Sequence, residues 1–323
     1  MKVRLARTAG FCYGVERAVD MVCEEVKRKQ ASCGGKDTDG QAGAKIYTYG
    51  PIVHNDSVVK ELESQGVSVI RDLDDLREKC GKSMMEGASV VIRAHGVGQE
   101  VMDILTDPRW GIRVVDATCP FVKKIHDIVR EHHAAGEKII ITGTESHPEV
   151  QGILGQIGFD AAVIESMEDA GRLAEDISTG RRGSIRSESR PEDNALPARY
   201  CVVSQTTFNT EKFKDIVDFL KKQLYYVTVV NTICNATQLR QKEALALSRE
   251  CDAMIVIGGK HSSNTAKLYD ICSKECSATY FIESLDDLNE TIDQSVRCFG
   301  ITAGASTPKT IIQEVLKYVR DEF

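Results

Sequence analysis

Short apolar runs of four or five residues recur along this chain, each followed by a polar turn and then by a stretch where apolar residues return every three or four positions. Runs of the first kind fit buried strands, and the second spacing fits one face of a helix. In the first third, strands are predicted at 3–6, 46–49, 67–70 and 89–92. Val15, Ala18, Val19, Val22 and Val26 mark one helix, and residues 56–65 mark another. The middle third repeats the order, with a helix carrying Val122, Ile125, Ile128 and Val129 before strands at 138–142, 161–164 and 200–203. The last third has strands at 253–257, 279–282 and 297–301 and a closing helix. Its first helix is weakly periodic, because Leu239, Leu245 and Leu247 form no clean stripe.

The repeat is also visible in the letters. Val-Ile-Arg-Asp-Leu-Asp-Asp-Leu from Val69, Val-Ile-Glu-Ser-Met-Glu-Asp from Val163 and Phe-Ile-Glu-Ser-Leu-Asp-Asp-Leu from Phe281 echo one another. Alternating strands and helices predict an α/β fold with mostly parallel, four-stranded sheets. Three pseudo-threefold-related subdomains are expected, 1–110, 111–224 and 225–323, around a central cavity. Ligands of such folds bind beyond the carboxyl ends of the strands. Two segments interrupt the pattern: 31–44 reads as an exposed insertion and 179–197 as an arginine-containing loop.

Each repeat carries a cysteine where an apolar strand turns into a helix: Cys12, Cys119 before Pro120, and Cys234. A helix N-terminus favours thiolate there. Three thiolates at matching positions suit a metal centre with one position open, either zinc with water or a cubane iron–sulfur cluster. Neither C-x-x-C nor compact ferredoxin spacing is present. The other eight cysteines show no such matching and are assigned to core or surface, with Cys272-x-x-x-Cys276 a weak metal signal.

Composition narrows the setting. The 323 residues are 42% hydrophobic with a net charge of -7, which disfavours nucleic acid as the main partner. No apolar run nears the ~18 residues of a membrane span. The first motif begins so early that no leader is expected, and eleven unpaired-looking cysteines fit a reducing, cytoplasmic compartment.

Other polar residues at predicted strand ends are His54, His95, His147, Thr206, Ser262, Ser263, Asn264 and Ser306. Donors of this kind before helices suit a phosphate or diphosphate, with imidazolium supplying charge. This is no Walker loop, since Met254 stands where its first glycine belongs and His261 follows Lys260. One of Ser262, Ser263 and Asn264 is expected to cap a helix. His126, His132 and His133 read as ordinary exposed residues. Glu149 is evenly balanced between a first-turn helix acid and a proton donor.

The ordered motifs Gly10-Phe11-Cys12-Tyr13-Gly14, Val53-His54-Asn55, Ala94-His95-Gly96, Ala117-Thr118-Cys119-Pro120 and Ser146-His147-Pro148-Glu149 carry a resemblance. Ser204-Gln205-Thr206-Thr207, Cys234-Asn235-Ala236-Thr237, Ser262-Ser263-Asn264 and Gly304-Ala305-Ser306 extend it over nearly the whole chain. The chain resembles the LytB-type iron–sulfur reductase family, the 4-hydroxy-3-methylbut-2-enyl diphosphate reductases. The resemblance implies a [4Fe-4S] cluster on Cys12, Cys119 and Cys234, its open iron binding the substrate's allylic hydroxyl. It implies a diphosphate held by His54, His95, His147, Ser262, Asn264 and Ser306, with Ser263 and Thr237 lining the pocket. Thr206 and Glu149 would serve the hydroxyl and the proton relay. Ferredoxin or flavodoxin would deliver electrons. A non-redox lyase using the iron as Lewis acid, and an iron–sulfur sensor without turnover, are the rival readings.

Overall fold

The computed structural model describes residues 2–32, 45–81, 85, 87–179, 198–289 and 296–322. In chain order the first repeat comprises β1 (Lys2–Leu5), α1 (Tyr13–Ser32), β2 (Ile46–Tyr49), α2 (Asp56–Ser64), β3 (Val67–Ile70), α3 (Leu73–Gly81), β4 (Ser89–Ile92) and α4 (Gln99–Thr106). The second comprises β5 (Arg113–Asp116), α5 (Pro120–Ala134), β6 (Lys138–Thr142), α6 (Pro148–Leu154), β7 (Ala161–Ile164), α7 (Met167–Thr179), β8 (Arg199–Ser204) and α8 (Thr210–Gln223). The third comprises β9 (Tyr226–Val229), α9 (Asn235–Glu250), β10 (Ala253–Ile257), α10 (Ser263–Glu275), β11 (Thr279–Ile282), β12 (Cys298–Ala303) and α11 (Lys309–Glu322).

Local chemistry sets these boundaries. Asn55, Asn209 and Ser262 cap α2, α8 and α10 by accepting from backbone N–H groups of the first turn. Pro120 and Pro148 open α5 and α6, where a missing N–H does no harm. Ala31 and Ser32 end α1 and Thr179 ends α7; the rest of the two expected insertions lies outside the described residues.

The described strands form three four-stranded sheets, ordered β3-β2-β4-β5, β7-β6-β8-β9 and β11-β10-β12-β1. Every pairing is parallel. The α/β class with parallel four-stranded sheets is therefore as the alternation implies. The pairing adds a relation that the spacing of the runs does not give. The strand leading into each cysteine turn belongs to the sheet of the preceding repeat: β5 pairs with β4, β9 with β8, and β1 with β12. Boundaries at 110/111 and 224/225 would thus part hydrogen-bonded neighbours. These three strands are edges, only half-buried, whereas the central strands β2, β4 and β10 are buried throughout. An apolar run alone does not tell an edge strand from a central one.

By its internal packing the chain forms two compact units. One comprises Met1–Ala94, Asp107–Ala117 and Asn235–Phe323; the other His95–Thr106 and Thr118–Cys234. In the second unit the β6–β9 sheet buries both faces, Phe208, Ile216 and Leu220 on one and Ile139, Ile141 and Ile153 on the other. In the first unit Ile255, Phe299 and Val315 fill one side of the β10–β12 sheet, and Met254, Leu268 and Cys272 the other. Val22, Val91 and Ala117 share a core beneath α1. No helix among the described residues is long and apolar enough to cross a membrane.

Candidate active site

In the second unit, Glu149 and Thr206 meet. Glu149 follows Pro148 in the first turn of α6 and is 1% exposed. Thr206 lies just beyond β8; its backbone N–H and its hydroxyl donate to the two Glu149 carboxylate oxygens, each at 2.6 Å. Burial raises the Glu149 carboxyl to about 7, against the opposing pull of the two Thr206 bonds. The Thr206 carbonyl in turn accepts from the Cys234 N–H at 3.1 Å. A carboxyl poised near neutrality is thereby tied through one residue to a cysteine turn.

His147 caps α6: its Nδ1 accepts from the Glu149 N–H at 3.1 Å. That bond fixes the tautomer, so Nε2 carries the proton and is the donor face of the ring. The His95 ring stands edge-on to it, with centroids 5.4 Å apart. The turn after His95 is locked by close backbone packing. A Cβ on Gly155 would fall 2.6 Å from the Gly98 Cα, and the Gln99 N–H donates to the Gly155 carbonyl. Cys119 occupies the position before α5, and its side chain takes no part in capping.

In the first unit, Cys12 immediately precedes α1, and its N–H donates to the Ala305 carbonyl at 3.2 Å. Ser306 follows, donating its hydroxyl to the His54 carbonyl at 3.1 Å. The Ser306 proton is thus already directed at the backbone and must turn to serve a ligand. Ser262 is the cap of α10, accepting from the Thr265 N–H, and Ser263 opens the helix. Asn264 is buried beside it, and its Nδ2 has no hydrogen-bond partner. A buried amide donor left unused is a natural contact for an anionic oxygen. Thr237 is buried on α9.

Two expectations need correction. His54 is held down to about 4, first by burial and then by the nearby charges of Arg93 and His261. It is therefore a neutral imidazole at pH 7, not the imidazolium expected. His126 is buried, its ring against Gly96, because α5 turns that face toward the 95–98 turn. His132 is half-buried and hydrogen-bonds Glu137.

Other residues escaped the sequence reading. On α9, Arg240 donates from Nη2 to the Gly10 carbonyl at 2.5 Å, and Glu243 accepts from the Arg7 and Thr8 N–H groups and the Thr8 hydroxyl. Together they hold the turn that ends in Cys12. The weak apolar stripe of α9 was the available signal, since its buried face is largely polar.

The described cysteines form no disulfide. Cys12, Cys119 and Cys234 are part-exposed, whereas burial drives Cys201, Cys251 and Cys272 up to about 12. The donor set thus separates into three part-exposed thiols at helix starts and the other described cysteines, of which Cys23 within α1 and Cys298 at the start of β12 are also part-exposed. The former fit soft-metal or cluster ligation. His132, Glu137 and Cys201 also offer ligand atoms within 4.8 Å of one another. Arg199 already donates to that carboxylate at 2.8 Å, so the trio is better read as a compensated buried acid.

Comparison with known proteins identifies the family. The model of the family described as LytB protein matches residues 3–320. The chain is 41% identical to the 4-hydroxy-3-methylbut-2-enyl diphosphate reductase of Clostridium perfringens strain SM101, covering 99% of this chain and 98% of that one. It is 38% identical to the enzyme of the same name from Caldanaerobacter subterraneus subsp. tengcongensis, covering 99% and 97%. A solved structure of (E)-4-hydroxy-3-methyl-but-2-enyl diphosphate reductase, the terminal enzyme of the non-mevalonate pathway, superposes with a TM-score of 0.63 at 36% identity, covering 99% of this chain and all of that one. The Plasmodium falciparum E-1-hydroxy-2-methyl-but-2-enyl-4-diphosphate reductase gives 0.79 at 27% identity, covering 98% and 87%. With a match of this extent over a shared parallel-sheet architecture, the chain belongs to the LytB protein family.

Proposed function

We propose that this chain reduces (E)-4-hydroxy-3-methylbut-2-enyl diphosphate, with two electrons and two protons, to isopentenyl and dimethylallyl diphosphates and water. This would be the last step of the methylerythritol phosphate route, in the cytoplasm. The observation that carries the reading is the buried Glu149, poised near pH 7 and held by Thr206 beside the Cys234 turn. Expelling a hydroxyl requires a proton at the leaving oxygen, and a carboxyl near neutrality can both hold and release one.

Cys12, Cys119 and Cys234 would hold a [4Fe-4S] cluster, three accessible thiols at helix starts being the donor set it requires. When bound, such a cluster supplies an open iron as Lewis acid and a path for single electrons, here from ferredoxin or flavodoxin. The chain's own residues do the rest. His147 offers Nε2–H and Asn264 its Nδ2 to diphosphate oxygens. His54, His95, Ser262 and Ser306 complete the donors, with Ser263 and Thr237 as lining. Thr206 orients Glu149 and relays its proton to the substrate hydroxyl.

The test is anaerobic turnover of the cluster-loaded protein with the allylic diphosphate and a reduced viologen, with products separated by gas chromatography after dephosphorylation. Both isoprenoid alcohols are expected, and only with reductant. Consumption without reductant would indicate the lyase; no consumption with an intact cluster spectrum would remove the reading. Cys119→Ser is expected to lose the brown colour and the cluster absorption.

A further inference from the structure

Arg93 directly follows β4, where Ile92 is in register with both Tyr49 and Asp116, so the guanidinium emerges at the carboxyl end of the sheet. It lies over Gly50. A Cβ there would stand 2.3 Å from Nη1 and 3.0 Å from Cζ, and Gly50 also has a φ of +70°. Any other residue would expel the guanidinium or strain the turn. Its Nε is buried without a hydrogen-bond partner. Among the described residues no carboxylate forms an ion pair with Arg93, whereas Arg28, Arg109, Arg172 and Arg249 each hold one.

A guanidinium does not give up its proton, so this charge persists although its surroundings leave it uncompensated. Such an arrangement disfavours the folded state unless something brings the counter-charge. Its neighbour is His54, which feels the Arg93 charge and is itself neutral. The His54 carbonyl is fixed by Ser306 and crowds Gly259, where a Cβ would lie 2.6 Å from it. Arg93 thus lies against the turn from Gly50 to His54, and the His54 backbone in turn contacts Ser306 and Gly259.

We propose that Arg93 supplies the fixed positive charge of the diphosphate site, neutralised by the ligand's oxyanions, with His54 beside it as a hydrogen-bonding group. This rests on the diphosphate reading. Arg93 is an electrostatic, positioning residue, and the chemistry at the hydroxyl does not need it.

The test is calorimetric titration of the anaerobic, cluster-loaded protein with inorganic pyrophosphate at low and moderate salt, for wild type, Arg93→Met and Arg93→Lys. Arg93→Met is expected to weaken binding roughly tenfold or more and to flatten its salt dependence; Arg93→Lys stays within about threefold. Without pyrophosphate, Arg93→Met melts no lower than wild type, because an uncompensated cation has been removed. The His54 imidazole, followed by NMR, titrates higher in that variant. In turnover, KM for the substrate rises while kcat holds. Equal pyrophosphate affinity in wild type and Arg93→Met overturns the inference, as does a lowered melting temperature with unchanged affinity. A wild type that ignores pyrophosphate overturns the diphosphate reading and this inference with it. Should Arg93→Met not fold, the wild-type Arg93 Nε–H resonance decides: it moves on adding pyrophosphate, or the inference fails.

Discussion

Thr206 grips both carboxylate oxygens of Glu149, one with its backbone N–H and one with its hydroxyl, each at 2.6 Å. Both bonds favour the ionised acid, while complete burial favours the neutral one, and the balance falls near 7. Glu149→Gln removes the proton that this balance makes available. Turnover should fall by ~10²-fold or more, the range of a lost general acid. Absorption of the proposed cluster should be unchanged, because Glu149 supplies no thiolate. Near-normal turnover would reduce Glu149 to a helix-start acid. Thr206→Val should raise the carboxyl further, shifting the basic limb of the pH–rate profile upward, and Thr206→Ser should restore it.

The same carboxyl makes stability depend on pH with a definite sign. Its folded pKa, about 7, lies above the ordinary 4.5, so the folded chain holds the proton more tightly. The resulting stabilisation is complete below pH 4.5 and is lost as pH rises through 7, on the order of 3 kcal/mol in all. Wild type should therefore lose stability between pH 5 and 8 relative to Glu149→Gln, in denaturant unfolding at both pH values. His54 runs the other way. Its pKa of about 4 lies below the ordinary 6.5, so its contribution is present above 6.5 and is lost as pH falls through 4. Parallel pH profiles for wild type and Glu149→Gln would contradict the first assignment.

Much of this molecule was legible in its sequence because parallel strands write themselves as apolar runs. Ile139, Ile140 and Ile141 are wholly buried, and nothing but a two-faced strand suits them. Register between repeats was not legible. The runs before Cys12, Cys119 and Cys234 look like first strands of their own units, and only pairing reveals them as the last strands of others. Charge state was equally hidden: His54 reads as a cation until its burial, and then Arg93 beside it, are seen. Burial of polar groups misleads in the same way on α9, where Arg240, Gln241 and Thr237 face inward and blur the apolar stripe.

The α9 clamp on the Cys12 turn can be opened from a distance. Glu243 accepts three hydrogen bonds from Arg7 and Thr8, and its carboxyl lies below the usual range because those donors outweigh its burial. Glu243→Ala orphans two backbone N–H groups and should cost ~2 kcal/mol. The readout is twofold. The melting temperature should fall, and the proposed cluster should bleach faster in air, because the turn before Cys12 is then held by Arg240 alone of the pair on α9. Glu243→Gln, which keeps one acceptor oxygen, should be intermediate. Unchanged bleaching with a lowered melting temperature would mean that the clamp supports the fold but not the cysteine.

Gly96, beside His95, combines two requirements that no other residue meets. Its φ is +71°, and a Cβ would stand 2.8 Å from the His126 Cε1 and 3.0 Å from the Thr118 Cγ2. Gly96→Ala therefore meets strain in the backbone and overlap with the residue just before Cys119. Backbone strain alone is worth ~1 kcal/mol, and overpacking adds ~1–3 kcal/mol where neighbours cannot yield. His126 is buried on α5 and Thr118 is fixed by the chain, so neither yields freely. The variant should melt several degrees lower and retain less of the proposed cluster. Adding His126→Ala should recover the part due to overlap and leave the part due to φ, so that the double variant falls between wild type and Gly96→Ala. If His126→Ala gives no recovery, the contact drawn between α5 and the His95 turn is not the one that matters.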